Sequence, residues 1–177
     1  MAQQTVEAYL KEKIRDLPDW PVEGVLFRDI TPVLEDPEAF KTAIDSLSEL
    51  MKDLDFSKIV AVESRGFIFG GALAHKMGKG FVIVRKPGKL PCETIAHSYE
   101  LEYGKDTLEM HNDSIKPGEK VVILDDLIAT GGSAKATAML VEKLGGKVEA
   151  IVFLIELEFL KGKEKLKEYD VFSVVKY

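Results

Sequence analysis

The 177-residue chain contains one cysteine, one tryptophan and three histidines, and its 24 Lys+Arg are outnumbered by 30 Asp+Glu. Each scarcity excludes a class of protein. Cys92 alone cannot form an internal disulfide, and no charged-then-apolar leader opens the sequence, so a cystine-stapled secreted scaffold is excluded and a cytoplasmic setting is expected. His75, His97 and His111 do not fall at metal-ligand spacing, which removes a zinc centre. A net charge of −6 lacks the basic face that binding a nucleic-acid polymer requires. The longest apolar runs, such as residues 66–74 and 150–155, fall far short of the roughly 20 residues that span a bilayer, so no membrane partner is expected. What is present is an ordinary globular composition, 46% hydrophobic, at the length of one domain spanning residues 1–177. A chain of this size typically buries about 68–70% of its unfolded surface, enough for a core without disulfides or structural metal.

The hydrophobic pattern supplies the organisation. Val6, Leu10, Ile14 and Leu17 recur at helical spacing and predict a helix running to Pro18. Residues 17–36 are broken by Pro18, Pro21, Gly24 and Pro32 yet carry Trp20, Val25, Leu26 and Phe27, so an ordered, irregular cover is expected there. Asp36-Pro37-Glu38 is a helix start, and Phe40, Ala43, Ile44, Leu47, Leu50, Met51 and Leu54 mark one buried face. From Lys58 onward, apolar strands at 59–62, 81–84, 121–124 and 148–155 alternate with helices at 67–77 and 134–144. Strands with no polar alternation, separated by helices, predict an α/β fold with a central, mostly parallel sheet flanked by helices. Residues 98–103 and 107–111 instead alternate polar and apolar around Gly104-Lys105-Asp106, which predicts an inserted, half-exposed hairpin over about 92–113. Residues 161–167 read as a charged, helical, solvated edge, and residues 171–175 as a further strand.

In such a sheet, chemistry gathers at the carboxyl ends of the strands. The residues there are Glu63-Ser64-Arg65-Gly66, then Arg85-Lys86-Pro87-Gly88-Lys89, then Asp125-Asp126-Leu127-Ile128-Ala129-Thr130-Gly131-Gly132-Ser133. In the last set, two acids end an apolar strand and a hydroxyl-Gly-Gly-hydroxyl turn opens a helix. Successive amides at such a turn, aided by the helix dipole, form a phosphate cradle. Carboxylates do not bind phosphate; they call for sugar hydroxyls or a divalent cation. Gly-Gly alone is a common tight turn and Asp-Asp alone a common solvated pair, but together within nine residues they point to a ribose phosphate. Walker-type alternatives fail: no Gly-Lys pair is followed by Ser or Thr, and Gly78-Lys79-Gly80 lacks the third glycine of a dinucleotide fingerprint.

Residues 121–133 resemble the phosphoribosyl pyrophosphate signature of the type I phosphoribosyltransferase family. Residues 24–32, 63–67, 85–91 and 99–104 are similar to its adenine-specific members, and the resemblance runs in order from about Ile14 onward. Ser133, Glu63 and Gly88 are small departures that remove no required group. The resemblance implies that adenine attacks the anomeric carbon of phosphoribosyl pyrophosphate, giving AMP and pyrophosphate with Mg²⁺, in a homodimer. It implies that Ala129, Thr130, Gly131, Gly132 and Ser133 hold the 5′-phosphate, and that Asp125 and Asp126 meet the ribose hydroxyls, directly or through water and Mg²⁺. By the same likeness Ser64 and Arg65, in a turn with a non-proline cis peptide, hold the pyrophosphate, extended by Arg85, Lys86 and Lys89, and Mg²⁺ binds mainly through the substrate. Residues 17–36 become a hood in which Phe27 stacks on the base, Leu127 packs on its other face and backbone groups of Leu26 and Arg28 read the amino edge. The hairpin becomes a lid carrying Glu102, placed at the imidazole edge of the base; on sequence alone Glu102 is a strand glutamate like Glu100 or Glu109. Two other readings stay open on the same residues: a ligand-sensing module of a transcription regulator, disfavoured by the acidic balance, and a phosphoribosyltransferase for xanthine or another base.

Overall fold

The computed structural model describes residues 5–100 and 104–177. Five strands form one parallel sheet in the order β4-β3-β7-β8-β9, with β3 at Lys58–Val62, β4 at Gly80–Val84, β7 at Lys120–Ile128, β8 at Lys147–Glu156 and β9 at Val171–Lys176. Strand alternation divides the interior in two. Ile59, Val122, Leu124 and Val152 face helices α1 (Val6–Lys13), α3 (Pro37–Met51) and α4 (Arg65–Met77), whereas Val60, Val62, Val121 and Ile123 face α5 (Gly132–Lys143) and the hairpin. Both faces are apolar and both are covered, as a parallel sheet requires. No helix among the described residues is long and apolar enough to cross a membrane.

The element boundaries follow local chemistry. Asp36 caps α3, accepting from the amides of Glu38 at 2.9 Å and Ala39 at 3.1 Å, with Pro37 in the first turn. Asp36 Oδ2 also lies 2.6 Å from Lys13 Nζ, tying α1 to α3. The first helix stops at Lys13, not Pro18. Buried Ile14 turns extended, and Arg15–Pro18 forms β1, paired antiparallel with β2 at Leu26–Asp29. Leu17 is restricted to extended backbone by Pro18, and it sits opposite Phe27 in the register. The expected irregular cover is therefore a two-stranded ribbon followed by the short helix α2, Thr31–Glu35.

A second boundary matters more for function. The strand expected to end at Leu124 continues to Ile128, because Asp125, Leu127 and Ile128 stay paired with Phe153, Ile155 and Glu156 of β8. Both acids thus lie within the sheet. The hairpin consists of β5 (Thr94–Glu100) and β6 (Lys105–His111), paired antiparallel, with Leu108 and Met110 in the α5-side core. It is joined to the end of β4 by reciprocal bonds between Arg85 and Glu109, the two amides donating at 2.9 and 2.7 Å. The segment expected as a solvated helix, residues 161–167, forms one 3₁₀ turn, Gly162–Leu166, in which Gly162 and Leu166 are buried, and a further 3₁₀ turn, Glu158–Leu160, precedes it.

Candidate active site

The turn after β7 is shaped by backbone. Gly131, at φ +78°, is the N-cap of α5 and has no side-chain cap. Among the described residues, the amides of Thr130, Gly131, Gly132 and Ser133 donate to no backbone carbonyl, and they lie at the positive end of the α5 dipole. They line a cavity of about 120 Å³ together with Leu127, Phe153 and Tyr99. Tyr99 comes from the hairpin, and its ring lies so near the turn that a Cβ on Gly132 would be 3.0 Å from it. Burial, with Asp106 beside the hydroxyl, pushes the Tyr99 phenol up to about 12.

Behind the turn sit the two acids. Asp126 is 4% exposed, and its amide donates to Asp125 Oδ1 at 2.9 Å. Burial raises the pKa of both, and for Asp125 the neighbouring Asp126 charge adds to it. Arg65 opposes that shift at Asp126. Its Nε lies 2.8 Å from Asp126 Oδ2, off the N–H direction, so the contact is an ion pair and the buried oxygen remains without a hydrogen-bond donor. Arg65 is held in reach because it opens α4 with only Glu63 and Ser64 between it and the end of β3; the Glu63–Ser64 peptide is cis. Gly66 permits the approach: a Cβ there would lie 2.9 Å from Asp125 Oδ1. On its other side the Arg65 guanidinium is 5.0 Å from the Phe27 ring, so one cation links the carboxylate pair to β2.

The remaining expected cations gather on the other flank. Arg85 Nη2 and Lys89 Nζ bind Glu63 Oε1 at 2.9 and 2.7 Å, and the Lys86 amide donates to Oε2 at 3.0 Å. The Arg85 guanidinium above all, then Lys89, holds the Glu63 carboxyl down at about 2. Lys86 Nζ pairs instead with Asp106 of the hairpin. Gly88 is explained by its φ of +76° and by its amide, which donates to Glu109 Oε2 at 3.1 Å.

The residues expected around a base are less tightly grouped. Phe27 packs edge-on to Trp20 at 4.3 Å and lines a cavity of about 510 Å³ with Arg65, Leu17 and Leu34. Leu26 lines a separate cavity of about 430 Å³ with Val25, Thr130, Leu157, Phe159 and Leu160, while Leu127 faces the phosphate turn. Phe27 and Leu127 thus line different cavities. The Arg28 side chain pairs with Asp16 and stacks 3.6 Å from the Tyr177 ring. Glu102 lies outside the described residues. Glu63, Tyr99 and the apolar group Leu157, Phe159 and Leu160 were not singled out as site residues from sequence. The signal for Glu63 was its place at the head of a charged strand end, and for Leu157 its place just after the apolar β8.

A parallel sheet with an amide turn, paired acids and an arginine at its carboxyl edge defines a phosphoribosyl transferase domain, and the family profile of that description matches residues 32–176. The adenine phosphoribosyltransferase of Lachnoclostridium phytofermentans is 58% identical over 168 residues, covering 95% of this chain and 97% of that protein. The crystal structure of the Thermoanaerobacter pseudethanolicus adenine phosphoribosyltransferase superposes with a TM-score of 0.95 at 53% identity, covering 98% of this chain and all of that one. The Saccharomyces cerevisiae enzyme, crystallised with an imino-altritol bisphosphate and adenine, gives a TM-score of 0.90 at 43% identity over 96% of this chain and 98% of its own. The chain belongs to the adenine phosphoribosyltransferase family.

Proposed function

We propose that the protein transfers the 5-phosphoribosyl group from phosphoribosyl pyrophosphate to adenine, giving AMP and pyrophosphate in purine salvage. The observation that carries this reading is the junction of the amides at Thr130, Gly131, Gly132 and Ser133, which among the described residues have no backbone acceptor, with half-buried Asp125, buried Asp126 and Arg65. The amides receive the 5′-phosphate, with hydroxyls of Thr130 and Ser133 adding donors. The carboxylates receive the ribose hydroxyls, which places C1′ toward Arg65. As the C1′–pyrophosphate bond breaks and the bond to adenine N9 forms, negative charge grows on the leaving oxygen. Fixed cations at Arg65, Arg85, Lys86 and Lys89, with Ser64, stabilise that charge. The N9 proton leaves as the new bond forms, and Glu102 is assigned to the imidazole edge of the base to manage it.

Mg²⁺ fits this donor set. Asp126 Oδ2 is a buried oxygen without a hydrogen-bond donor beside a second carboxylate, the hard ligands that Mg²⁺ and its waters prefer. Among the described residues no three metal-ligating side chains cluster, so the ion would take its other ligands from substrate and water, and its charge would help neutralise the pyrophosphate. Residues 17–36 act as the hood over the base; Phe27 and Leu127, which line different cavities without a ligand, come together on its two faces when it binds, and the backbone at Leu26 and Arg28 reads the amino edge. A donor–acceptor pair of that polarity rejects a 6-oxopurine through unpaired groups. The hairpin over about 92–113 acts as a lid excluding water. A cytoplasmic homodimer is the expected working form.

The test is turnover with Mg²⁺ and phosphoribosyl pyrophosphate, offering adenine, hypoxanthine, guanine, xanthine and orotate in parallel and measuring released pyrophosphate. Adenine alone should release it rapidly. Turnover with another base would move the specificity assignment, and release with none would point to a ligand-sensing role.

A further inference from the structure

The turn Gly162–Leu166 lies far from the other site residues in sequence, yet its first residue is pressed against the phosphate turn. A Cβ on Gly162 would lie 2.3 Å from the Ala129 carbonyl oxygen and 2.8 Å from Ile128 Cγ1. In the reverse direction, a Cβ on Gly131 would lie 2.4 Å from the Gly162 carbonyl oxygen. Two backbones therefore meet through paired glycines with no side chain between them. Any larger residue at position 162 must push one of the two backbones away.

The anchors decide which one moves. Behind Gly162, Leu166 is fully buried in the α5-side core, Lys163 Nζ lies 2.7 Å from Glu156 Oε2, and the Tyr169 hydroxyl donates to Glu142 Oε1 at 2.8 Å. Lys135 of α5 also pairs with Glu168. The phosphate turn is tied at its two ends, where the Leu157 amide donates to the Ile128 carbonyl and the Lys135 amide to the Gly131 carbonyl, each at 3.0 Å, but Gly131 is an N-cap without a side-chain bond and, among the described residues, the amides of residues 130–133 have no backbone acceptor. Between those ties the turn is the softer partner.

We propose that Gly162 is a positioning residue for phosphate recognition: its peptide backs the Ala129–Gly131 turn and holds the cradle amides convergent. The inference rests on reading that turn as the 5′-phosphate site. Gly162 touches no reacting atom. Its contribution is preorganisation, since donors work only when held within about 0.5 Å of the productive geometry and without reorganising on binding.

The experiment compares wild type with Gly162→Ala by calorimetric titration of ribose 5-phosphate, and by turnover with each substrate varied. Ribose 5-phosphate affinity should fall tenfold or more and KM for phosphoribosyl pyrophosphate should rise by a similar factor, while KM for adenine stays within twofold. A general loss of structure would not separate the two substrates in that way. Equal ribose 5-phosphate affinity in both proteins overturns the inference. Absence of ribose 5-phosphate binding to wild type overturns the reading of the turn itself, a distinguishable failure. If Gly162→Ala does not fold, Leu166→Ala keeps the glycine but removes its anchor; a threefold or greater loss of ribose 5-phosphate affinity supports the inference, and unchanged affinity overturns it.

Discussion

The two flanks of the site treat charge in opposite ways. Around β7, Asp126 is buried and Asp125 half-buried, the pKa values of both are raised, and among the described residues the neighbouring amides have no backbone acceptor. Around β4, the charges are already satisfied: Arg85 and Lys89 share Glu63, and Lys86 takes Asp106. The first flank is a preorganised site with unmet demand, and ligand binding relieves it. The second must exchange protein carboxylates for ligand phosphates, so its affinity is a difference between two sets of charge-assisted bonds. The hairpin touches both, with Tyr99 over Gly132 and Asp106 on Lys86.

The contrast can be broken most sharply at Arg65, the cation bound to the β7 acids. Arg65→Ala should lower kcat/KM by about 10²–10³, the usual effect of removing one fixed donor to developing charge; steady-state rates check this. Next is the hairpin. Glu102→Ala should lower kcat by roughly 10–100-fold, in the range of general acid–base contributions, whereas Glu100→Ala leaves it nearly unchanged. Equal effects would remove Glu102 from the mechanism.

Glu63→Gln probes the satisfied flank. With the competing carboxylate gone, pyrophosphate should bind a few-fold more tightly at low salt, measurable by product inhibition. The same variant should be less stable by about 1 kcal/mol at neutral pH, as expected for lost hydrogen bonds to charged groups. The sign follows from a depressed pKa: the Glu63 contribution is complete above the ordinary carboxylate pKa and disappears as pH falls toward about 2, so the melting difference should close over that interval. Asp125→Asn is the converse. Asn can still accept from the Asp126 amide, and it removes a half-buried charge beside Asp126, so the unliganded protein should melt a few degrees higher at neutral pH while losing activity. Because burial raises the Asp125 pKa, that advantage should shrink as acidification protonates the wild-type carboxyl.

Much of this arrangement was legible in the sequence because it depends on local order. The apolar strands, the Asp36-Pro37 cap and the hydroxyl-Gly-Gly-hydroxyl turn announce themselves within a few residues. What was not legible depends on pairing across the chain. Nothing near Asp125 says that β8 runs long enough to draw both acids inside the sheet. Nothing near Pro18 says that Arg15–Pro18 will find Leu26–Asp29 in preference to one more helical turn. A charged run such as residues 161–167 hides its buried Gly162 and Leu166, because their partners lie in β7 and α5. Within the site, the turn's chemistry was visible but the counterions of the basic loop were not, since Glu63 and Asp106 reach it from separate elements.

The Arg28 guanidinium stacked 3.6 Å from Tyr177 has a consequence for the order of assembly. The Lys176 amide likewise donates to Glu7 at 3.1 Å, so earlier segments are fixed by a strand that follows them in the chain. On a ribosome, where chains emerge amino end first, α1 and β2 have no such clasp until β9 is available. A nascent chain halted before β9 would carry the turn after β7 and both acids, while α1 and the β1–β2 ribbon still lacked their contacts to Lys176 and Tyr177.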